Sequence, residues 1–165
     1  MSGPQRAYIG LGSNLAEPTQ QLRQALQSLR ALPGCEWVGV SGLYRSDSLL
    51  PGQPRYSNAV AALDTGLEPL QLLDALQAIE QEQGRVRAER WGPRTLDLDI
   101  ILFGDLVLDT PRLTVPHYHL HARPFVLYPL AELVDSTFVL PDGRNLNALL
   151  SACPFVGLER VAELP

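Results

Sequence analysis

Residues 90–103 read Arg-Trp-Gly-Pro-Arg-Thr-Leu-Asp-Leu-Asp-Ile-Ile-Leu-Phe, and the second half of this stretch is a core strand carrying two acids. Side chains at i and i+2 of a strand leave the same face. Asp97 and Asp99 therefore project together, while Leu96, Leu98 and Ile100 form the opposite face. Paired like charges on a core strand are costly unless something positive neutralises them. Magnesium suits the pair, because it takes oxygen ligands from one or two carboxylates and completes its octahedron with water and substrate phosphate. Two ions sharing both acids fit the same pattern. A bare Asp-x-Asp is also compatible with two solvated acids on an edge strand; the apolar neighbours and the arginines upstream turn the balance toward metal.

Those arginines are Arg85, Arg87, Arg90 and Arg94. With Glu89 they make a local charge of +3 in a chain whose net charge is −5. Guanidinium stays charged and grips phosphate oxygens in pairs. Residues 83–95 are expected to be a polar loop that closes over a nucleotide, with Arg85 and Arg94 on phosphate and Arg87 and Arg90 partly at the surface. Trp91 anchors the closed loop or packs against a base, or else packs in the loop hinge. All 13 basic residues are arginine, which excludes a P-loop lysine, a Schiff base and a lysine general base.

Working outward, hydrophobic periodicity predicts a strand over 6–12, then a turn at Ser13-Asn14. A helix follows from Pro18, with a stripe of Leu22, Ala25, Leu26, Leu29 and Leu32. A second strand spans 35–45, a loop 46–53 and a third strand 56–64. A second helix opens at Pro69 with Leu72, Leu73, Leu76 and Ile79 inward, and the acid strand 96–103 comes next. Short strands at 106–108 and 138–140 and helices near 123–133 and 145–150 complete the pattern; the tail gives no clear signal. The order β-α-β-β-α-β predicts an α+β, ferredoxin-like split βαβ fold with a mainly antiparallel sheet. The 165 residues are expected to form one domain.

No apolar run has transmembrane length and the first residues lack a signal-peptide core, so the expected location is cytoplasmic. Cys35 and Cys153 read as reduced thiols. The acidic net charge and the lack of an aromatic RNA-binding pattern argue against nucleic acid, and the charge argues against an anionic membrane.

Three further constellations carry chemistry. Tyr56 and Asn58 share a strand face, where an aromatic ring can stack on a flat heterocycle and an amide can read its polar edge; an ordinary half-buried tyrosine is the plain alternative. His117, His119 and His121 lack the partners of a zinc site, so His117 reads as a phosphate contact beside Arg123, and the other two as surface residues. Gly10-Leu11-Gly12-Ser13-Asn14-Leu15 reads as a tight strand-to-helix turn, since the third glycine of a dinucleotide fingerprint is missing.

Together, Tyr-Ile-Gly-Leu-Gly-Ser-Asn-Leu (8–15), Tyr-Ser-Asn-Ala-Val (56–60), residues 90–100, Leu-Thr-Val-Pro-His (113–117) and Arg-Pro-Phe (123–125) resemble the hydroxymethyldihydropterin pyrophosphokinase family of folate biosynthesis. The resemblance implies transfer of the β,γ-diphosphate of ATP to the hydroxymethyl group of 6-hydroxymethyl-7,8-dihydropterin, with release of AMP. It implies two Mg2+ ions on Asp97 and Asp99. It places Arg85, Trp91, Arg94, His117, Tyr118 and Arg123 around ATP, with Arg85, Arg94, His117 and Arg123 near the transferring group. It places Tyr56 and Phe125 on either side of the pterin, Asn58 at its edge, Trp91 and Asp97 nearby, and Glu80 as a substrate-proximal acid. ATP and the pterin are the expected partners, with no obligatory protein partner and a monomer. The stretch Ser46-Asp47-Ser48 lacks the prolines of well-known members, and the arginine loop is one residue shorter than in some. No residue stands out as a general base.

Overall fold

The apolar alternation of Ala7, Ile9 and Leu11 makes β1 (Gln5–Ser13) a central strand, and the rest of the molecule is arranged on its two edges. The computed structural model describes residues 4–13, 18–46, 56–83, 96–117, 120–135, 137–155 and 157–162. β1 pairs with β4 (Tyr56–Thr65) on one side and with β5 (Asp97–Phe103) on the other, both antiparallel. β2 (Cys35–Val40) and β3 (Leu43–Ser46) each pair with β4, and β8 (Leu158–Ala162) pairs with β3. The strand order is β5-β1-β4-β3-β8, with β2 also on β4. If β2 and β3 count as one bent strand, the first four positions are the predicted split βαβ arrangement: β4 lies between two strands joined by a helical crossover.

That crossover is α1 (Pro18–Arg30). Its stripe of Leu22, Ala25, Leu26 and Leu29 is at most 3% exposed. It stops at a turn where the Cys35 N–H reaches the Leu32 carbonyl (3.2 Å) and Gly34 takes φ +80, the position at which a type II turn needs glycine. The second crossover is α2 (Pro69–Glu82), started by proline in its first turn and by Gln71, whose side-chain oxygen accepts the Glu68 N–H (2.8 Å). Both helices cover the face formed by Ala7, Ile9, Leu11, Leu98 and Ile100. The opposite face, with Tyr8, Val60, Ala62, Ile101 and Leu102, is covered by α3 (Pro124–Ala131) and α4 (Leu146–Ala152). Among the described residues no helix is long and apolar enough to cross a membrane.

Several boundaries differ from the sequence expectation. The second strand is broken at Ser41-Gly42. Ser41 bonds Val60 through its backbone N–H (2.9 Å), and its hydroxyl oxygen accepts the Val60 N–H (3.0 Å), so a side chain stands in for one rung of the ladder. Ser46 belongs to β3 rather than to the loop after it, and Gly10 to Ser13 belong to β1 rather than to a turn. The short strand after Gly104 is β6 (Leu108–Asp109), paired with β7 (Thr114–Val115). Only an isolated bridge, Val139 to Asn145, stands where a strand was expected at 138–140. The tail forms β8, which had no recognisable signal: of Leu158 to Val161 only Leu158 is buried, so no alternation marks a strand.

β8 is held by a polar clamp. Glu132, just past α3, accepts the Gly42 N–H (3.0 Å), the Tyr44 hydroxyl and the Arg160 guanidinium (3.1 and 3.3 Å). Burial works against the charge of Glu132, but Arg160, Tyr44 and the Gly42 N–H outweigh it and hold the carboxyl below its usual range. Burial, then the neighbouring Glu132, pushes the Tyr44 hydroxyl well above its usual value.

Candidate active site

Three strands supply the floor of one cleft, and their register explains why. Asp97 lies opposite Gly12 and Asp99 opposite Gly10 across the β5–β1 pair. Gly12 in turn lies opposite Asn58, and Gly10 opposite Val60, across β1–β4. Cross-strand neighbours share a face, so Asp97, Gly12 and Asn58 form a row. At the usual spacing of neighbouring strands the outer two backbones stand roughly 10 Å apart, with only a bare glycine between them. A Cβ on Gly12 would come 3.1 Å from Asn58 Nδ2, and one on Gly10 3.1 Å from Ile101 Cδ1. The two glycines thus keep open a space that any side chain would fill.

Both acids face this cleft and away from the α1/α2 core, as their alternation with the buried Leu96, Leu98 and Ile100 requires. Asp97 is half-buried and Asp99 exposed. A bulge lies just beyond them: Ile9 pairs with Ile100 and Tyr8 with Leu102, leaving Ile101 unpaired. Ile101 and Leu102 both therefore join the α3 side of the sheet, and the strand bends there. The Ile101 carbonyl accepts the His117 N–H (3.0 Å), immediately after the cis Val115–Pro116 bond.

The cleft encloses about 640 Å³, within the range of small-molecule sites. Tyr56 and Asn58 of β4 line it with Asp97 and Asp99. Arg123, Phe125 and Val126 at the start of α3 form a wall, and Ser46 and Gly157 stand at the β3–β8 end. Arg123 is the N-cap of α3, and its guanidinium lies 5.7 Å from the centroid of the Phe125 ring, a cation–π distance. Asn58 is 5% and Ser46 6% exposed; the Ser46 hydroxyl donates to Asn58 Oδ1 (2.7 Å).

Of the residues predicted from the sequence, the fold brings Asp97, Asp99, Tyr56, Asn58, Arg123 and Phe125 to this one cleft. His117 and Glu80 are not among its lining residues. Glu80 is 4% exposed and stands behind the acid strand on α2, where its Oε2 accepts the Leu98 N–H (2.8 Å). It bonds the backbone between the two aspartates. His121 is exposed on a short 3₁₀ turn (Leu120–Ala122). Arg85, Arg87, Arg90, Trp91, Arg94, Tyr118 and His119 lie outside the described residues. Gly10, Gly12 and Ser46 are additions. The two glycines had a legible signal, since their i, i+2 spacing matches that of the aspartates.

The donor set suits a hard cation. Among the described residues no three His, Cys, Asp or Glu side chains gather into a ligand group, so the acid pair leaves most of a coordination sphere to water and phosphate. That is the manner of magnesium rather than of a closed structural zinc site. The bare glycines opposite both acids leave room for it.

This sheet, with helices packed on both faces and a ligand cleft over its central strands, places the chain among the ferredoxin-like α+β proteins. Residues 8–135 match the model of the 7,8-dihydro-6-hydroxymethylpterin-pyrophosphokinase family, and the chain belongs to that family. A 2-amino-4-hydroxy-6-hydroxymethyldihydropteridine pyrophosphokinase from Pseudomonas aeruginosa is 65% identical over 158 residues, covering 95% of this chain and 97% of the relative. One of the same name from Haemophilus influenzae is 51% identical over 145 residues, covering 87% and 90%. The fold is similar to that of the wild-type Plasmodium falciparum HPPK-DHPS solved with pteroate (TM-score 0.72, 11% identity). The match covers 92% of this chain, which spans only 43% of that longer one.

Proposed function

We infer that the cleft is where this pyrophosphokinase joins its two substrates. The enzyme transfers the β,γ-diphosphate of ATP to the hydroxymethyl group of 6-hydroxymethyl-7,8-dihydropterin, a step of folate biosynthesis. The observation that carries the assignment of the site is the register row Asp97–Gly12–Asn58, which sets an acid and an amide on either side of an open floor.

In this reading the pterin lies flat between Tyr56 and Phe125, where stacking contributes contact area and orientation. The Asn58 amide reads its polar edge. A site that must hydrogen-bond its ligand rejects analogues strongly, because its buried polar atoms are otherwise left unpaired. Arg123, held at the head of α3, faces the phosphates with its fixed charge, and Arg85 and Arg94 bind phosphate as well. Asp97 and Asp99 would hold two magnesium ions, which supply Lewis acidity and neutralise phosphate charge when bound. The chain's own work is to align the hydroxymethyl oxygen with the β-phosphorus and to exclude water, which accounts for much of the rate in phosphoryl-type transfer. ATP and the pterin suffice as partners, the enzyme acts as a monomer, and the cytoplasm is its compartment.

Phosphorus NMR of the reaction mixture tests the assignment. AMP with a diphosphorylated pterin is the expected pair of products; ADP or free pyrophosphate would overturn it.

A further inference from the structure

Asn58 and Ser46 are the polar pair at the buried end of the cleft. The pairs Tyr44–Asn58 and Ser46–Tyr56 set Ser46 diagonally beside Asn58 on one face of β3 and β4. Both side chains are more than nine-tenths buried, and the Ser46 hydroxyl donates to Asn58 Oδ1 at 2.7 Å. The other end of the amide, Nδ2, lies over Gly12, 3.1 Å from where a Cβ would stand. The amide therefore turns its donor end to the open floor.

We propose that Ser46 is a positioning residue that fixes the orientation of the Asn58 amide and so makes the enzyme selective for a 4-oxo over a 4-amino pterin edge. This rests on the assignment of Asn58 to the pterin. The chemistry is a matter of matching: an N–H donor meets the carbonyl oxygen of a 4-oxo ring as a hydrogen bond, but meets the amino group of a 2,4-diamino ring as donor against donor. Without the Ser46 hydroxyl the buried Oδ1 loses its donor, and a buried acceptor left unpaired is costly. The amide then turns to satisfy itself, and the selectivity falls.

The test is calorimetry on the full chain with Mg2+ and a non-hydrolysable ATP analogue, titrating 6-hydroxymethylpterin and its 2,4-diamino analogue. Wild type favours the 4-oxo ligand. In Ser46→Ala the affinity ratio drops about tenfold, the worth of one hydrogen bond; in Ser46→Thr, which keeps the hydroxyl, it stays within about twofold of wild type. Equal weakening of both ligands in Ser46→Ala, or no change in ratio, would overturn the proposal. If Ser46→Ala does not fold, Ser46→Cys, a weak donor, is read in the same way. Asn58→Ala separates the two levels. If it weakens the 4-oxo ligand while Ser46→Ala keeps the ratio, only the role of Ser46 falls; if it leaves both ligands bound as in wild type, the pterin assignment of Asn58 falls with it.

Discussion

Gly12 shows how much of the site depends on what a residue lacks. It sits between Asp97 and Asn58 in the sheet, and its missing side chain leaves open the space proposed for the heterocycle. Gly12→Ala places a methyl 3.1 Å from Asn58 Nδ2, so the amide must shift. Steady-state kinetics should show the KM for the pterin raised about tenfold, the worth of one displaced hydrogen bond, with the KM for ATP little changed. An unchanged pterin KM would remove the glycine from the floor. At this scale the sequence was informative where chemistry sits on a periodic pattern. Asp97 and Asp99 could be placed on one face because a strand alternates, and Tyr56 with Asn58 for the same reason. Ser46 could not be placed, because its partner Asn58 is 12 residues away and only the β3–β4 register joins them. Glu80 was recognised, but only the packing of α2 against β5 shows that it bonds the Leu98 backbone.

The elements around the cleft are held by unlike means. α3 is anchored by burial: Leu127 is fully buried against the sheet. Leu127→Ala should cost about 2–5 kcal/mol in denaturant unfolding, and a value under 1 kcal/mol would mean that α3 is not fixed by its core contacts. β3 and β8, already paired as strands, are tied to the end of α3 by Glu132 and its partners. Because the Glu132 carboxyl is held below its usual value, its contribution is complete above the unfolded carboxyl pKa of 4.5 and is lost as pH falls through the folded value. Tyr44 runs the other way. Its folded pKa is raised above 10.0, so its contribution is complete below that pH and is lost as pH rises beyond it. Thermal melts should show both limbs, and Glu132→Gln should flatten the acid one; an unchanged acid limb would assign it to other carboxylates. None of this clamp was legible. Gly42, Tyr44, Glu132 and Arg160 carry no shared motif, and the bend at Ser41-Gly42 looks in sequence like one continuous strand.

For the whole molecule, two helical crossovers on one face leave the other face of the sheet for the site. That division was visible in the sequence as the order of strands and helices, since each long element has a clear period. The helices expected near 123–133 and 145–150 are α3 and α4; what was hidden is their packing as the second cover, together with the β8 edge. These segments are short, 8 residues in α3 and 7 in α4, too few turns for a stripe to show which face they cover. The consequence is functional. The bulge at Ile101 turns β5 toward α3, so the acid pair, the amide strand and the Arg123–Phe125 wall meet over the centre of the sheet rather than at a loop tip. The central claim is that the acid pair is the fixed point between ATP and pterin. It is tested most directly by the rate of AMP formation in Asp97→Ala and Asp99→Ala at saturating Mg2+. Each variant should lose at least about 10²–10³-fold in rate while melting at or near the wild-type temperature, because removing neighbouring like charges does not of itself unfold a sheet. A rate within about twofold of wild type in either variant would contradict the account.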